Sequence, residues 1–266
     1  MRTLSLEQIR STAPSVYAER PYDAMSERYR FFPTVHVVEG LMQQGFLPVR
    51  AQQSRTRIEG KGDFTKHLLR FRHASQAKAG VDSTVPEIVL VNSHDGSSSY
   101  HLSLGLYRVM CLNGLVVKSA GIEDIRVRHS GRESLIQEVI EGSYTIIDAA
   151  PRALAQVEQW QHLQLSPPEQ EVLAEAALEL RDSALEVQPR ALLAPRRWED
   201  GHPDRERDVW RTMNTVQENL LKGGVQGHNE QGQRRRLRGV KSVDGDMRIN
   251  RALWVLAEKM AELKGA

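Results

Sequence analysis

Apolar residues recur along this chain with two periods, and the change from one to the other divides it into a strand-rich and a helix-rich part. From residue 46 to about residue 129 the spacing is that of strands. Phe46–Ala51 reads as the first, and Arg55–Ile58 either continues it or forms the next. Phe64–Arg72 alternates, with His67, Leu69 and Phe71 on one face and Lys66, Leu68, Arg70 and Arg72 on the other. Ile88–Val91 is a short apolar run suited to a central strand. Asp95-Gly96 is a tight-turn signal, and Tyr100–Met110 follows as a long strand with Tyr100, Leu102, Leu104 and Leu106 on one face. Asn113-Gly114 turns the chain again, Leu115–Lys118 pairs back, and Ile125–His129 closes the series with Arg126 and Arg128 opposite Ile125 and Val127. Strands joined by tight turns are antiparallel, because a parallel pair needs a long crossover. The pattern predicts one antiparallel meander.

Helical spacing flanks this region. Thr34 stands where it would cap a helix over Val35–Gln44, with Gly45 as its C-terminal stop. After residue 134 helices dominate. Ser134 with Gln137 reads as a capping box, and Pro151 is expected to kink or break the helix that follows before it runs on through Leu154, Val157 and Trp160. Ser166-Pro167-Pro168-Glu169 is a stronger start signal, for a helix reaching about Leu185. Residues 187–204 read as a linker or surface loop, and further helices are predicted over Asp204–Lys222, stopped by Gly223-Gly224, and over Asp246–Lys264. Strands first and helices later is the order of an α+β fold. The expected division is an α+β core domain over residues 1–186 and a helical region with a basic loop over residues 187–266.

Composition narrows the setting. Of 266 residues 40% are hydrophobic and 26% charged, as in a folded globular protein. The single cysteine, Cys111, lies in an apolar run and rules out an internal disulfide. No apolar stretch approaches the roughly 20 residues of a membrane helix, and the N-terminus has no signal-like apolar core, so a cytoplasmic location is expected.

The formal net charge is only +2, yet the cations are unevenly placed. The run from Gln233 to Lys241 carries Arg234, Arg235, Arg236, Arg238 and Lys241, enough to lay guanidinium groups along phosphates. A solvated charge run that leaves a loop disordered is the alternative reading. Arg50, Arg55, Arg57, Lys66, Arg70, Arg72, Arg126 and Arg128 come from several predicted strands that are poor in acidic residues. If they share a face, the sheet is basic on that side and can track a nucleic-acid backbone. Otherwise they are the solvent side of an amphipathic sheet. Tyr22, Tyr29, Phe31, Phe32, Tyr100 and Tyr107 could stack on bases, although most are expected in the core.

His94 and Asp95 could in principle hold a metal or do acid–base work, but adjacent residues in a tight turn point apart, so turn chemistry is the better reading. No phosphate-binding loop, dinucleotide fingerprint, nucleophile elbow or zinc motif is present. No cofactor or metal is therefore predicted.

Val91-Asn92-Ser93-His94-Asp95-Gly96-Ser97-Ser98, followed by Gly105-Leu106-Tyr107-Arg108-Val109-Met110-Cys111-Leu112-Asn113-Gly114-Leu115-Val116, resembles the phage/plasmid-like family of unknown function catalogued as domain of unknown function 932. Ser26-Glu27-Arg28-Tyr29, Val127-Arg128-His129-Ser130-Gly131, Gln217-Glu218-Asn219-Leu220, the Arg234–Arg238 run and Asn250-Arg251-Ala252-Leu253-Trp254 fit the same family in the same order. The resemblance implies a setting in plasmids, phages and integrated elements, and no catalytic residue to carry over. It points to roles such elements need: handling single-stranded DNA, replication or recombination, and blocking host defence. The element order is also similar to the core of single-strand annealing proteins, an analogy of order alone. The leading expectation is a non-catalytic DNA-binding protein, binding or annealing single strands as a homo-oligomer. The alternatives are an anti-defence or regulatory protein that binds a host protein, and a metal-dependent nuclease.

Overall fold

A computed structural model describes residues 3–27, 29–76, 84–108, 114–116, 124–127, 132–181, 183–196 and 207–265. Among them, four long or central strands and one short one form an antiparallel sheet. These are β1 (Phe46–Gln53), β2 (His67–His73), β3 (Thr84–Asn92), β4 (Tyr100–Arg108) and, beyond the short strand β5 (Gly114–Val116), β6 (Ile125–Val127). They run in the order β1-β2-β3-β4, with β6 also on β4. The helices are α1 (Leu6–Thr12), α2 (Thr34–Gln43), α3 (Arg132–His162), α4 (Pro167–Leu178), α5 (Pro189–Leu192), α6 (Val209–Lys222) and α7 (Val243–Leu263). The fold is α+β, with the sheet in the N-terminal half and most helices in the C-terminal half.

Packing divides the chain into two compact units. One comprises residues 1–109, 120–151 and 241–243, and the other residues 110–119, 152–240 and 244–266. Residues 186 and 187 both belong to the second.

In the first unit, Leu69, Phe71, Ile88, Leu90, Leu102 and Leu104 form a fully buried face of the sheet. Helix α3 lies on it closely enough that a Cβ at Gly142 would meet Leu102 at 3.0 Å and Ile125 at 3.3 Å. Tyr144 stands on Phe46 with ring centroids 5.2 Å apart. The opposite side of the central strands is buried too, through Leu68, Val89, Val91 and Ser103. That explains why Ile88–Val91 shows no alternation: a strand enclosed on both sides has no wet positions to fill with polar residues. In the second unit, Trp160, Trp210 and Trp254 meet in the core, with Trp160 4.6 Å from Trp254 and 6.3 Å from Trp210.

Several expectations change. Arg55–Ile58 is irregular, because the last backbone bond beside β2 is Ser54 N–H to Lys66 O and Ile58 is 57% exposed, with no apolar layer to hold a strand. Phe64 sits in a short 3-10 turn, and β2 starts only at His67. Pro33 occupies the N-cap of α2, so Thr34 is the first helical residue and its side chain makes no cap. Ser134 lies inside α3, which starts earlier. Pro151 neither ends nor splits that helix, because Ala150, Ala153, Val157 and Trp160 are buried on both sides of it. The capping box at Ser166 is present, but α4 ends at Leu178 rather than Leu185. The linker contains α5, and the basic segment is a two-stranded hairpin of β7 (Gln226–His228) and β8 (Arg234–Arg236). Cys111, Arg28 and Arg128 fall outside the described residues.

Candidate nucleic-acid interface

The hairpin of the second unit is built from backbone geometry that side chains then lock. Asn229 makes the turn: its side-chain oxygen accepts from the Gln231 and Gln233 N–H groups, and Gly232 takes a φ of 70°. Gln226 pairs with Arg236, Gly227 with Arg235 and His228 with Arg234. On its far edge β7 exchanges two 2.9 Å bonds with Glu186, through the N–H and C=O of His228. At the base, Gly224 N–H donates to Leu237 O at 2.7 Å, Leu237 N–H donates to Val225 O at 2.8 Å, and the Leu237 side chain is buried. Arg181 Nη2 donates to Arg238 O at 2.6 Å.

Arg234, Arg235, Arg236 and Arg238 are therefore displayed by an ordered strand and its exit, all four exposed. Arg235 donates to Gln233 and to Arg234 O, and among the described residues none of the four is ion-paired. Lys241 is exposed as well and belongs to the first unit.

The strand cations separate into two groups. Arg50 on β1 and Arg126 on β6 are exposed, as are Arg55 and Arg57 in the irregular segment, while Lys66 is half-buried. Arg70 and Arg72 instead turn inward on Glu87, which is fully buried on β3. Arg70 Nε donates to one carboxylate oxygen at 2.8 Å; Arg72 donates to the other through Nε at 2.9 Å and Nη2 at 2.5 Å. The Arg70 guanidinium also lies over the Tyr107 ring, 3.1 Å from its centroid. A Cβ at Gly105 would lie 2.3 Å from that ring, so the glycine makes the stack possible. Arg50 is the cross-strand neighbour of Arg70, so one sheet face does carry several cations, but two of them neutralise an internal acid.

The aromatic candidates divide likewise. Phe32, Tyr100 and Tyr107 are buried; Tyr22, Tyr29 and Phe31 are half-buried. Burial beside Asp95 pushes the Tyr29 hydroxyl up to about 12.

His94 and Asp95 point to different places. Asp95 accepts from Ser97 N–H at 3.0 Å and pairs with Lys61 at 3.1 Å. Burial works against its charge, but the bonds from Ser97, Lys61 and Ser93 outweigh it and hold its pKa below the usual carboxylate value. His94 is fully buried and joins a cluster that sequence reading missed. Around the Thr34 hydroxyl lie His67 Nε2 at 3.0 Å, Asn92 Nδ2 at 3.0 Å, His94 Nε2 at 3.1 Å and Tyr100 OH at 3.2 Å. Tyr100 donates to Phe32 O at 3.1 Å, and His67 Nδ1 faces Ser15 Oγ at 2.9 Å. Complete burial lowers the pKa of His67 to about 4. This enclosed cluster orders the β3–β4 connection. Among the described residues no group of three or more His, Cys, Asp or Glu side chains is placed to hold a metal ion.

The segment Gln217-Glu218-Asn219-Leu220 is also internal. Gln217 donates to Asn250 at 2.5 Å, and Asn219 donates to Leu192 O and Ala194 O while accepting from Arg196.

The chain is 41% identical over 261 residues to UPF0380 protein YafZ of Escherichia coli K12, and 40% identical over the same length to UPF0380 protein YfjQ of that strain. Each alignment covers 97% of this chain and 92% of the relative. No solved structure matches. Residues 21–254 match the family described as "Domain of unknown function (DUF932)", and with most of its length covered the chain belongs to that family.

Proposed function

We propose that the protein is a non-catalytic DNA-binding protein that grips the phosphate backbone with the β7–β8 hairpin. The observation that carries the reading is the set of four exposed arginines, Arg234, Arg235, Arg236 and Arg238, without a carboxylate partner among the described residues and displayed by an ordered strand and its exit. A strand fixes their spacing, so less side-chain freedom is lost when phosphates are bound. Arg50, Arg55, Arg57 and Arg126 are exposed cations of the first unit. Base stacking has less support, since Phe32, Tyr100 and Tyr107 are enclosed. The preference for single strands and the setting in a plasmid or phage rest on the family resemblance.

The test is binding of purified, nucleic-acid-free protein to labelled single-stranded and double-stranded oligonucleotides across a salt series. Changing Arg234, Arg235, Arg236 and Arg238 together to glutamine is expected to reduce the slope of log affinity against log salt by about 3, because each phosphate contact contributes roughly 0.7 to 0.9. Unchanged affinity and slope would overturn the reading. In that case a stoichiometric host protein co-purifying from nuclease-treated lysate would favour the regulatory alternative.

A further inference from the structure

Two arginines that no sequence motif singles out converge at the base of the hairpin. Arg181 follows α4, and Arg248 projects from the first turns of α7, 67 positions along the chain. Arg181 is held by two carbonyls, donating to Leu220 O at the end of α6 at 3.3 Å and to Arg238 O at 2.6 Å. Arg248 Nη2 donates to Leu180 O, the carbonyl preceding Arg181, at 3.4 Å. Each guanidinium therefore spends only part of its donor fork on the protein and keeps the rest. Neither is ion-paired to any described residue. Partial burial, and after it the charge of Arg248, lower the pKa of Arg181.

We infer that Arg181 and Arg248 form a phosphate-binding subsite at the foot of the hairpin, the fixed end of the cationic row that continues through Arg238 to Arg234. The pair suits a phosphoryl group. Two planar forks match its tetrahedral oxygens, and two positive charges suit the single charge of a backbone diester or the double charge of a terminal phosphate. Arg181 is the positioned partner, tied to backbone on both sides; Arg248 is exposed and supplies the adjustable one. The subsite deepens the DNA-binding reading and rests on it for its biological ligand, but its chemistry is independent of the hairpin arginines. The phosphoryl group belongs either to a strand's backbone or to a strand end.

The test begins without nucleic acid. Inorganic phosphate at about 20 mM is expected to raise the melting temperature of the full chain by about 3 °C over chloride of equal ionic strength, for a millimolar site. Arg248→Gln, an exposed change, is expected to remove most of that shift. Arg181→Lys keeps the charge but loses the fork, and should reduce it severalfold. No phosphate-specific shift in the native chain, or an undiminished shift in Arg248→Gln, would overturn the subsite. With oligonucleotides, Arg248→Gln should lower the salt slope by about 1. A loss confined to 5′-phosphorylated strands assigns the site to a strand end, and an equal loss with 5′-hydroxyl strands assigns it to the backbone. If the native chain shifts with phosphate yet binds no oligonucleotide, the DNA-binding reading falls and the subsite stands.

Discussion

One hydroxyl proton must serve the crowd around Thr34. Asn92 N–H donates to the oxygen, and Tyr100 gives its own proton to Phe32 O. His67 Nδ1 faces Thr65 O at 3.4 Å as well as Ser15 Oγ, which places its proton on Nδ1 and leaves Nε2 to accept from Thr34. His94 Nε2–H then donates to the same oxygen. Protonating His67 would press a third donor on an oxygen with two lone pairs, inside a fully buried site. Its folded pKa of about 4 lies below the unfolded value of 6.5, so its contribution to stability is complete above pH 6.5 and lost as the pH falls towards 4. The size is about 3 kcal/mol. Urea unfolding across that range should show this excess loss in the native chain and not in His67→Gln; parallel pH profiles would refute the assignment. In the sequence Thr34 looked like a helix cap because a threonine before an amphipathic run commonly is one. Nothing local reveals that residues 33, 58 and 60 positions away supply its real partners.

The strands and most helices were legible because each has a period and a stop. Gly45, Asp95-Gly96, Ser166 and Gly223-Gly224 all mark boundaries where they were expected. The sheet's chemistry was not legible, since Glu87 lies on a different strand from Arg70 and Arg72 and its role depends on register. Glu87→Gln would leave two enclosed guanidinium groups without their counter-charge. A loss of about 3 to 5 kcal/mol in unfolding free energy is expected; a loss under about 1 kcal/mol would mean that Tyr107 and solvent carry the cations. The hairpin depends on Gly223 in a comparable way. Its φ of 67° with ψ of −153° suits glycine alone, and a Cβ there would lie 2.5 Å from both Gly239 N and Leu237 O. Arg196 and Asn219 bind its carbonyl and amide. Gly223→Ala should loosen the hairpin locally, with trypsin cutting after Arg234–Arg236 about tenfold faster than in the native chain. An unchanged rate at those bonds, relative to Arg190 as an internal reference, would refute it.

At the scale of the molecule a net charge of +2 conceals where charge is available. Some arginines are consumed inside, as Arg70, Arg72 and Arg196 are, and others are presented on a fixed strand. Sequence marks both kinds identically, so the basic run near residue 235 could be located but not shown to be ordered, and the pair Arg181 and Arg248 could not be found at all. The α+β class was readable from element order, whereas the contact-defined units interleave segments that lie far apart along the chain. The placement of the cations bears on colloidal behaviour. β8 is the outer strand of a two-stranded sheet, and an outer strand is a natural seam for pairing with a second chain. Three consecutive arginines guard that seam, because two such edges brought together would set like charges against each other across a strand spacing of about 4.8 Å. Under the proposed function, a polyanion laid along the arginines would silence that repulsion and leave the edge open to pairing.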